Sequence, residues 1–387
     1  MFALPLYAKV DSTQVCHSCN QIQRDASIAS LAPKWQTKTL KVIHMGDSHV
    51  QMGYFTGEIK RLLGARKTGM QFPYRLAKGV DGPLFKSKAK GNWEGTSILK
   101  SASGWNIGIA GYAASTRDSA AQIQFIAKDS LLRFQTIRVW FKADSCSMEP
   151  DLGTDFRLSQ RVQEGNVGYW DFIGSGASRQ FTLSLQKSTP QQDVFTLLGL
   201  EMLTDDIGID YQDLGVSGAQ FTHLKSRGNL ALDQIGLLKP DLIICSFGTN
   251  ESYNPNWNAE KYRRELLAFK EEVKMKSPAS VFLFTSPPDT RSQHRVPKYQ
   301  EDVIRVLAAL PSPFYDLNQV MGGFGSSEAW VKNGCFLRDQ LHLTKEGYQL
   351  QAKLFVLALL KTWGDEEAFS ILQNQVNQHT VSIGIPK

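Results

Sequence analysis

KVIHMGDSHV, residues 41–50, is the stretch that decides the fold. Apolar residues, two of them β-branched, lead to Met45. The run breaks at Gly46, and an acid, a hydroxyl and an imidazole follow at Asp47, Ser48 and His49. A short apolar run of this kind reads as a buried strand of a parallel sheet. The next stretch, QMGYFTGEIKRLLG, sets Tyr54, Phe55, Ile59, Leu62 and Leu63 at helical spacing and stops at Gly64. Strand, tight turn and helix open an α/β unit.

The same grammar returns from about residue 209. PDLIICSFGTN and SVFLFTSPPD read as buried strands, and PFYDLN as a shorter one. Between them NAEKYRRELLAFKEEVKMK is a helix with Asn258 as its N-cap and Tyr262, Leu266, Phe269 and Val273 on one face. KYQEDVIRVLAAL is another helix, and LTKEGYQLQAKLFVLALLKTW is expected to be the last. Strands alternating with helices predict a parallel, doubly wound sheet. From about 85 to 208 the character differs. TIRVWFKA, VGYWDFIG, RQFTLSLQ and VFTLLGLEML are short runs separated by Gly, Ser, Asp and Pro, which predicts an all-β sandwich or jelly-roll. The expected organisation is an N-terminal segment over 1–30, an α/β domain over 31–84 and 209–387, and an inserted β-sandwich over 85–208.

The totals agree with a globular protein. Of 387 residues, 42% are hydrophobic and 21% charged, which excludes a disordered chain. The formal charge of +6 is mildly basic, but no run of five or more Lys and Arg tracks a phosphate backbone, so no nucleic-acid partner is expected. No run of about 18 apolar residues spans a membrane. The start, MFALPLYAKVDS, reads as the tail of a trimmed secretory signal or as an ordinary terminus. Cys16 and Cys19 form a single C-x-x-C before the first strand, read as a local disulfide or as two idle thiols. Cys245 is expected in the core.

In a doubly wound sheet, functional groups gather at the carboxyl ends of the strands. The loops there carry GDSH, GVSGAQF, FGTNES and FLRDQLHL. Ser48 stands at a helix start, where backbone N–H groups favour an oxyanion, and needs a base to take its proton. His342 is the candidate base. Asp339 precedes it by three residues, close enough to fold back within one turn and fix the imidazole tautomer. The Ser48 N–H, the Gly218 N–H and the Asn250 side chain make a three-donor oxyanion hole. Asp47 is expected to brace the turn and His44 to be a satisfied core residue. His49, Asp47 and His342 do not form a spaced ligand set, so neither metal nor cofactor is expected.

The set GDSH, GVSGA, GTNE and DQLH resembles the four blocks of the GDSL/SGNH hydrolase superfamily. That resemblance implies a flavodoxin-like three-layer α/β fold and a metal-free Ser-His-Asp arrangement. By position, Ser48 is then the nucleophile, Gly218 and Asn250 are oxyanion donors, and Asp339 and His342 complete the triad. His49 stands where leucine is usual, and Glu251 where aspartate is usual. Histidine after the serine, a β-rich insertion and GVSGAQF on re-entry are similar to the Gram-negative peptidoglycan O-acetylesterases, in which the insertion looks like a carbohydrate-binding module.

The resemblance implies removal of O-acetyl groups from a cell-wall glycan, with peptidoglycan first, by a periplasmic or secreted enzyme. An O-acetyltransferase, an acetylxylan or other polysaccharide esterase, and a non-catalytic glycan-binding protein are the competing readings. Tyr253, Trp257 and Trp330 are candidate faces for sugar rings. Arg291, His294 and Arg295 are candidate partners for a glycan carboxylate.

Overall fold

The computed structural model describes residues 15–65, 69–82, 84–100, 104–203, 208–292 and 297–381, the side chains of 378–381 excepted. The N-terminal stretch MFALPLYAKVDS, His294 and Arg295 lie outside them. Strand Lys41–Gly46 is buried except at Lys41, as its composition requires. It pairs in parallel with Asp210–Gly215 on one side and Leu242–Ser246 on the other. Val281–Thr285 and Phe314–Tyr315 continue the parallel sheet, and the short Ile22–Gln23 closes the edge antiparallel. Numbered along the chain, the five parallel strands lie in the order 2-1-3-4-5, the flavodoxin-like winding. Its switch point falls between Lys41–Gly46 and Leu242–Ser246.

Alternation along these strands feeds two cores. Ile43, Met45, Ile243 and Cys245 face one side, with Phe221, Tyr262 and Phe269 from the covering helices. Val42, Leu242 and Ile244 face the other, against Phe55 and Ile59 from helix Tyr54–Leu63 and Phe355 from helix Lys345–Trp363. Glycine lets the elements close up. A Cβ on Gly46 would lie 2.3 Å from Val50 Cγ2 and 2.7 Å from the Ser246 carbonyl.

The antiparallel strands run between Met70 and Leu203. One sheet orders Phe156–Glu164, Val167–Ser178, Phe134–Lys142, Phe195–Leu203, Tyr112–Thr116 and Glu94–Ser97. The other orders Phe85–Lys90, Gln122–Ala127, Gln180–Gln186 and Glu149–Asp151. The β-rich region begins earlier than residue 85, because Met70–Gln71 pairs with Phe195–Leu203. Two residues carry no readable alternation, so this strand has no signature in the sequence. Side chains of this unit and of the α/β unit form one continuous core.

Asn258 caps its helix as expected, its side chain accepting the Lys261 N–H at 2.8 Å. Lys345–Trp363 is not the last helix. Gly364 ends it at φ 70°, and a further helix runs over Glu366–Val381. Leu372 and Val376 of that helix are buried. Its many polar residues hide the stripe in the sequence. Cys16 and Cys19 are joined as a disulfide, and Cys245 is buried.

Candidate active site

The site forms where the switch point opens the sheet. Lys41–Gly46 ends at Asp47, whose side chain accepts the His49 N–H at 3.0 Å and braces the turn. Ser48 begins the short helix Ser48–Gln51. The loop 337–342 comes from the far end of the chain. It is closed by Leu337 N–H on the His342 carbonyl at 2.8 Å and Gln340 N–H on the Leu337 carbonyl at 3.0 Å. Gln340 is held at φ 52°, a left-handed conformation unusual for a side-chain-bearing residue. Such a tight turn aims both functional groups of the loop at the sheet.

Ser48 Oγ and His342 Nε2 lie 2.8 Å apart, across 294 residues of sequence. His342 Nδ1 lies 2.7 Å from Asp339 Oδ2. Asp339 Oδ1 also accepts the Leu341 and His342 N–H groups, each at 2.9 Å. Partial burial works against the charge on Asp339. The hydrogen bonds from His342 and Leu341 outweigh it and hold the carboxyl below its ordinary range. An ionised carboxylate on Nδ1 keeps the Nδ1–H tautomer, which leaves the Nε2 lone pair for the serine hydroxyl.

Asn250 follows strand Leu242–Ser246. Its Nδ2 donates to the Ala219 carbonyl at 2.9 Å and faces Asp47 Oδ2 at 3.4 Å. Gly218 has φ 81°, and its N–H donates to no protein group among the described residues. Glu251, fully buried, accepts the Phe221 N–H at 2.7 Å and the Gly248 N–H at 3.0 Å, tying the Asn250 loop to the loop after Gly218. Burial pushes the Glu251 carboxyl up to about 8 and that of Asp47 up to about 6.

His44 is satisfied inside the core, between the Tyr211 hydroxyl at 2.6 Å and the Ser246 hydroxyl at 2.7 Å, and burial lowers it to about 3. His49 Nδ1 meets the Tyr348 hydroxyl at 2.8 Å, and its ring centroid lies 5.6 Å from that of His342. Burial, and then the neighbouring His342, lower it to about 3.

The substrate candidates divide. Trp330 is corrected: it is wholly buried, with its indole N–H on the Met321 carbonyl, so it offers no face to a sugar. Trp257 is half-buried against Tyr262 and Tyr299. Tyr253 accepts the Ser292 N–H at 2.9 Å, so its hydroxyl holds a loop. Arg291 pairs with Glu328, and its own N–H donates to the Gln340 carbonyl at 2.9 Å, bracing the His342 loop. The bracing by Glu251 and Arg291 has no local sequence signal, because the partners come from separate loops. Among the described residues, no group of three His, Cys, Asp or Glu is arranged to hold a metal ion, and no helix is long and apolar enough to cross a membrane.

Residues 195–350, the stretch holding Gly218, Asn250, Asp339 and His342, match the GDSL-like Lipase/Acylhydrolase family. The chain carries a GDSL-like lipase/acylhydrolase domain. This makes the acylhydrolase a carboxylic ester hydrolase. Its fold is shared with a solved structure of a peptidoglycan O-acetylesterase, at a TM-score of 0.64 and 20% identity over 90% of this chain and 96% of that one. A Bacillus subtilis protein aligns at 14% identity and a TM-score of 0.36, over 70% of this chain and 88% of that one. An Enterococcus faecalis lipase/acylhydrolase aligns at 20% identity and a TM-score of 0.29, over 41% of this chain and 77% of that one. No curated protein matches the acylhydrolase sequence.

Proposed function

We propose that this acylhydrolase removes O-acetyl groups from a cell-wall glycan, peptidoglycan in the first place, with Ser48 as nucleophile. The observation that carries the reading is the 2.8 Å approach of His342 Nε2 to Ser48 Oγ. His342 takes the Ser48 proton as Oγ bonds to the ester carbonyl carbon. The negative charge that develops on the carbonyl oxygen is met by the Ser48 N–H, the Gly218 N–H and the Asn250 amide. His342 then protonates the departing sugar oxygen, the carbon–oxygen bond breaks, and an acetyl-Ser48 ester remains. A water molecule, deprotonated by His342, repeats the addition and releases acetate and the free serine. Asp339 stabilises the imidazolium at both stages and stays ionised.

The choice of glycan draws on the fold shared with a peptidoglycan O-acetylesterase over nearly the whole of both chains. It draws also on the antiparallel unit, which holds a cleft of about 1100 Å³ lined by Trp93, Trp105, Asn92, Asn106, Arg117 and Lys142 among others. Two indoles among amides and balanced charge suit hydroxyl-rich sugar rings better than a polyanion. We place the enzyme in the periplasm or outside the cell, where that substrate is.

Acetate release from O-acetylated peptidoglycan, compared with acetylated xylan and with Ser48→Ala as control, tests the reading. Release from peptidoglycan, lost in Ser48→Ala, is the expected result. Preference for xylan reassigns the glycan. Transfer of acetyl to added glycan without release makes the enzyme a transferase. Binding without either makes it a glycan-binding protein.

A further inference from the structure

Gln51 ends the helix that Ser48 begins, and its side chain meets three other parts of the chain. Its Oε1 accepts the Ser217 N–H at 2.7 Å, 166 residues further on. The same oxygen accepts the Lys78 ammonium. Its Nε2 donates to the Tyr112 hydroxyl at 2.8 Å. The half-buried Lys78 has no carboxylate partner among the described residues, and its ammonium stands 5.4 Å from the Tyr112 ring centroid. Tyr112 lies in strand Tyr112–Thr116 of the antiparallel unit, packed by the rings of Phe72 and Tyr74. Lys78 ends helix Tyr74–Lys78, which lies so close on strand Glu94–Ser97 that a Cβ on Gly95 would sit 2.2 Å from the Leu76 carbonyl oxygen.

The loop beyond strand Asp210–Gly215 is pinned at every N–H but one. Val216 N–H donates to the Gly46 carbonyl at 3.1 Å, Ser217 N–H to Gln51, and Ala219 N–H to the Val216 carbonyl at 2.9 Å. Among the described residues, only the Gly218 N–H is left over. Gly218 has φ 81° and no side chain, and the nearest atom to a Cβ placed there is Leu99 Cδ1 at 3.8 Å, so nothing on its own side fixes the peptide that carries this donor. The preceding residue must fix it, and Gln51 holds the preceding residue.

We propose that Gln51 is a positioning residue for the oxyanion hole. Through Ser217 it sets the Gly218 peptide, and through Lys78 and Tyr112 it ties that setting to the antiparallel β unit. The inference rests on the reading of Ser48 as nucleophile and Gly218 as oxyanion donor. The β unit is then part of the catalytic apparatus as well as a neighbour of it. A donor fixed before the reaction stabilises developing charge without reorganising at the moment it is needed.

Two substitutions at residue 51 separate this from a merely structural role. Gln51→Met keeps the length of the side chain and removes the acceptor. Gln51→Glu keeps an acceptor for Ser217 and Lys78, and the Tyr112 hydroxyl turns to donate to it. On 4-nitrophenyl acetate, Gln51→Met is expected to lower kcat by about 10- to 100-fold, less than the loss of a direct oxyanion donor, with KM within about twofold. Gln51→Glu is expected to return kcat to within about threefold of the parent. Parental kcat in Gln51→Met, an equal loss in both variants, or a loss confined to KM would overturn the proposal while hydrolysis by the parent left the Ser48 reading standing. A parent enzyme that hydrolyses nothing would overturn both. If Gln51→Met does not fold, Lys78→Met reads the same coupling: kcat falls about twofold to tenfold if the proposal holds, and an unchanged kcat contradicts it.

Discussion

Asn250 Nδ2 and Asp47 Oδ2 stand 3.4 Å apart, on the two loops that flank the switch point of the sheet. The second hydrogen of the amide is held at 2.9 Å by the Ala219 carbonyl. One hydrogen is thus committed to the scaffold and the other makes only a long contact, which leaves it for a developing oxyanion. Removing it in Asn250→Ala is expected to lower kcat on 4-nitrophenyl acetate by about 10²–10³. A loss below about threefold would take Asn250 out of the oxyanion hole.

Asp339→Asn keeps an oxygen for the Leu341 and His342 N–H groups but turns a donor toward His342 Nδ1. That favours the tautomer with its proton on Nε2, where it faces the Ser48 hydroxyl and cannot accept from it. The expected fall in kcat is on the order of 10⁴, with the melting temperature nearly unchanged. A variant that retains a tenth of the activity would show that the carboxylate does not set the tautomer.

Gly215 and Gly218 make contrasting demands. A Cβ on Gly215 would lie 2.2 Å from Gln51 N and 2.6 Å from Gln51 Cα, on backbone that cannot yield without displacing the Ser48 helix. At Gly218 the nearest atom is Leu99 Cδ1 at 3.8 Å, so alanine there meets only the left-handed backbone, a cost of about 1–2 kcal/mol. Gly218→Ala keeps its N–H and is expected to stay folded and active. Gly215→Ala is expected to lose about 1–3 kcal/mol or more of stability, and most of its activity with it. Denaturant melts and kcat on the two variants check this.

Buried ionisable groups pull stability in opposite directions with pH. His44 and His49 are lowered from 6.5 to about 3. Below about pH 6.5 the unfolded chain takes up protons that the native state refuses, so stability falls as the pH drops toward 3. Glu251 is raised from 4.5 to about 8. Between those values the native state holds a proton that the unfolded chain has released, so stability falls as the pH rises toward 8. Glu251→Gln removes the second effect, and its melting temperature is expected to decline less than the parent's from pH 5 to pH 8. Parallel profiles would show that Glu251 is not held protonated.

The parts of the site that were legible in the sequence are those fixed by position after a strand. Ser48 and Asn250 each follow an apolar run, and a doubly wound sheet brings the ends of such runs together; Gly218 was legible from the glycine-rich GVSGA after the mixed stretch DYQDLG. Asp339 and His342 were legible because three residues is one turn. What depended on a partner far along the chain was hidden. Trp330 reads as a surface aromatic until Met321 and the core close around it. Arg291 reads as a free cation until Glu328 pairs with it. The helix Glu366–Val381 was missed, because only a few of its residues meet the core.

The central claim is that His342 makes Ser48 a nucleophile, and a fluorophosphonate probe followed by peptide mass mapping tests it most directly. One adduct is expected, on Ser48, formed rapidly in the parent and scarcely at all in His342→Ala. An adduct on any other residue, or equal labelling of Ser48 with and without His342, would contradict it.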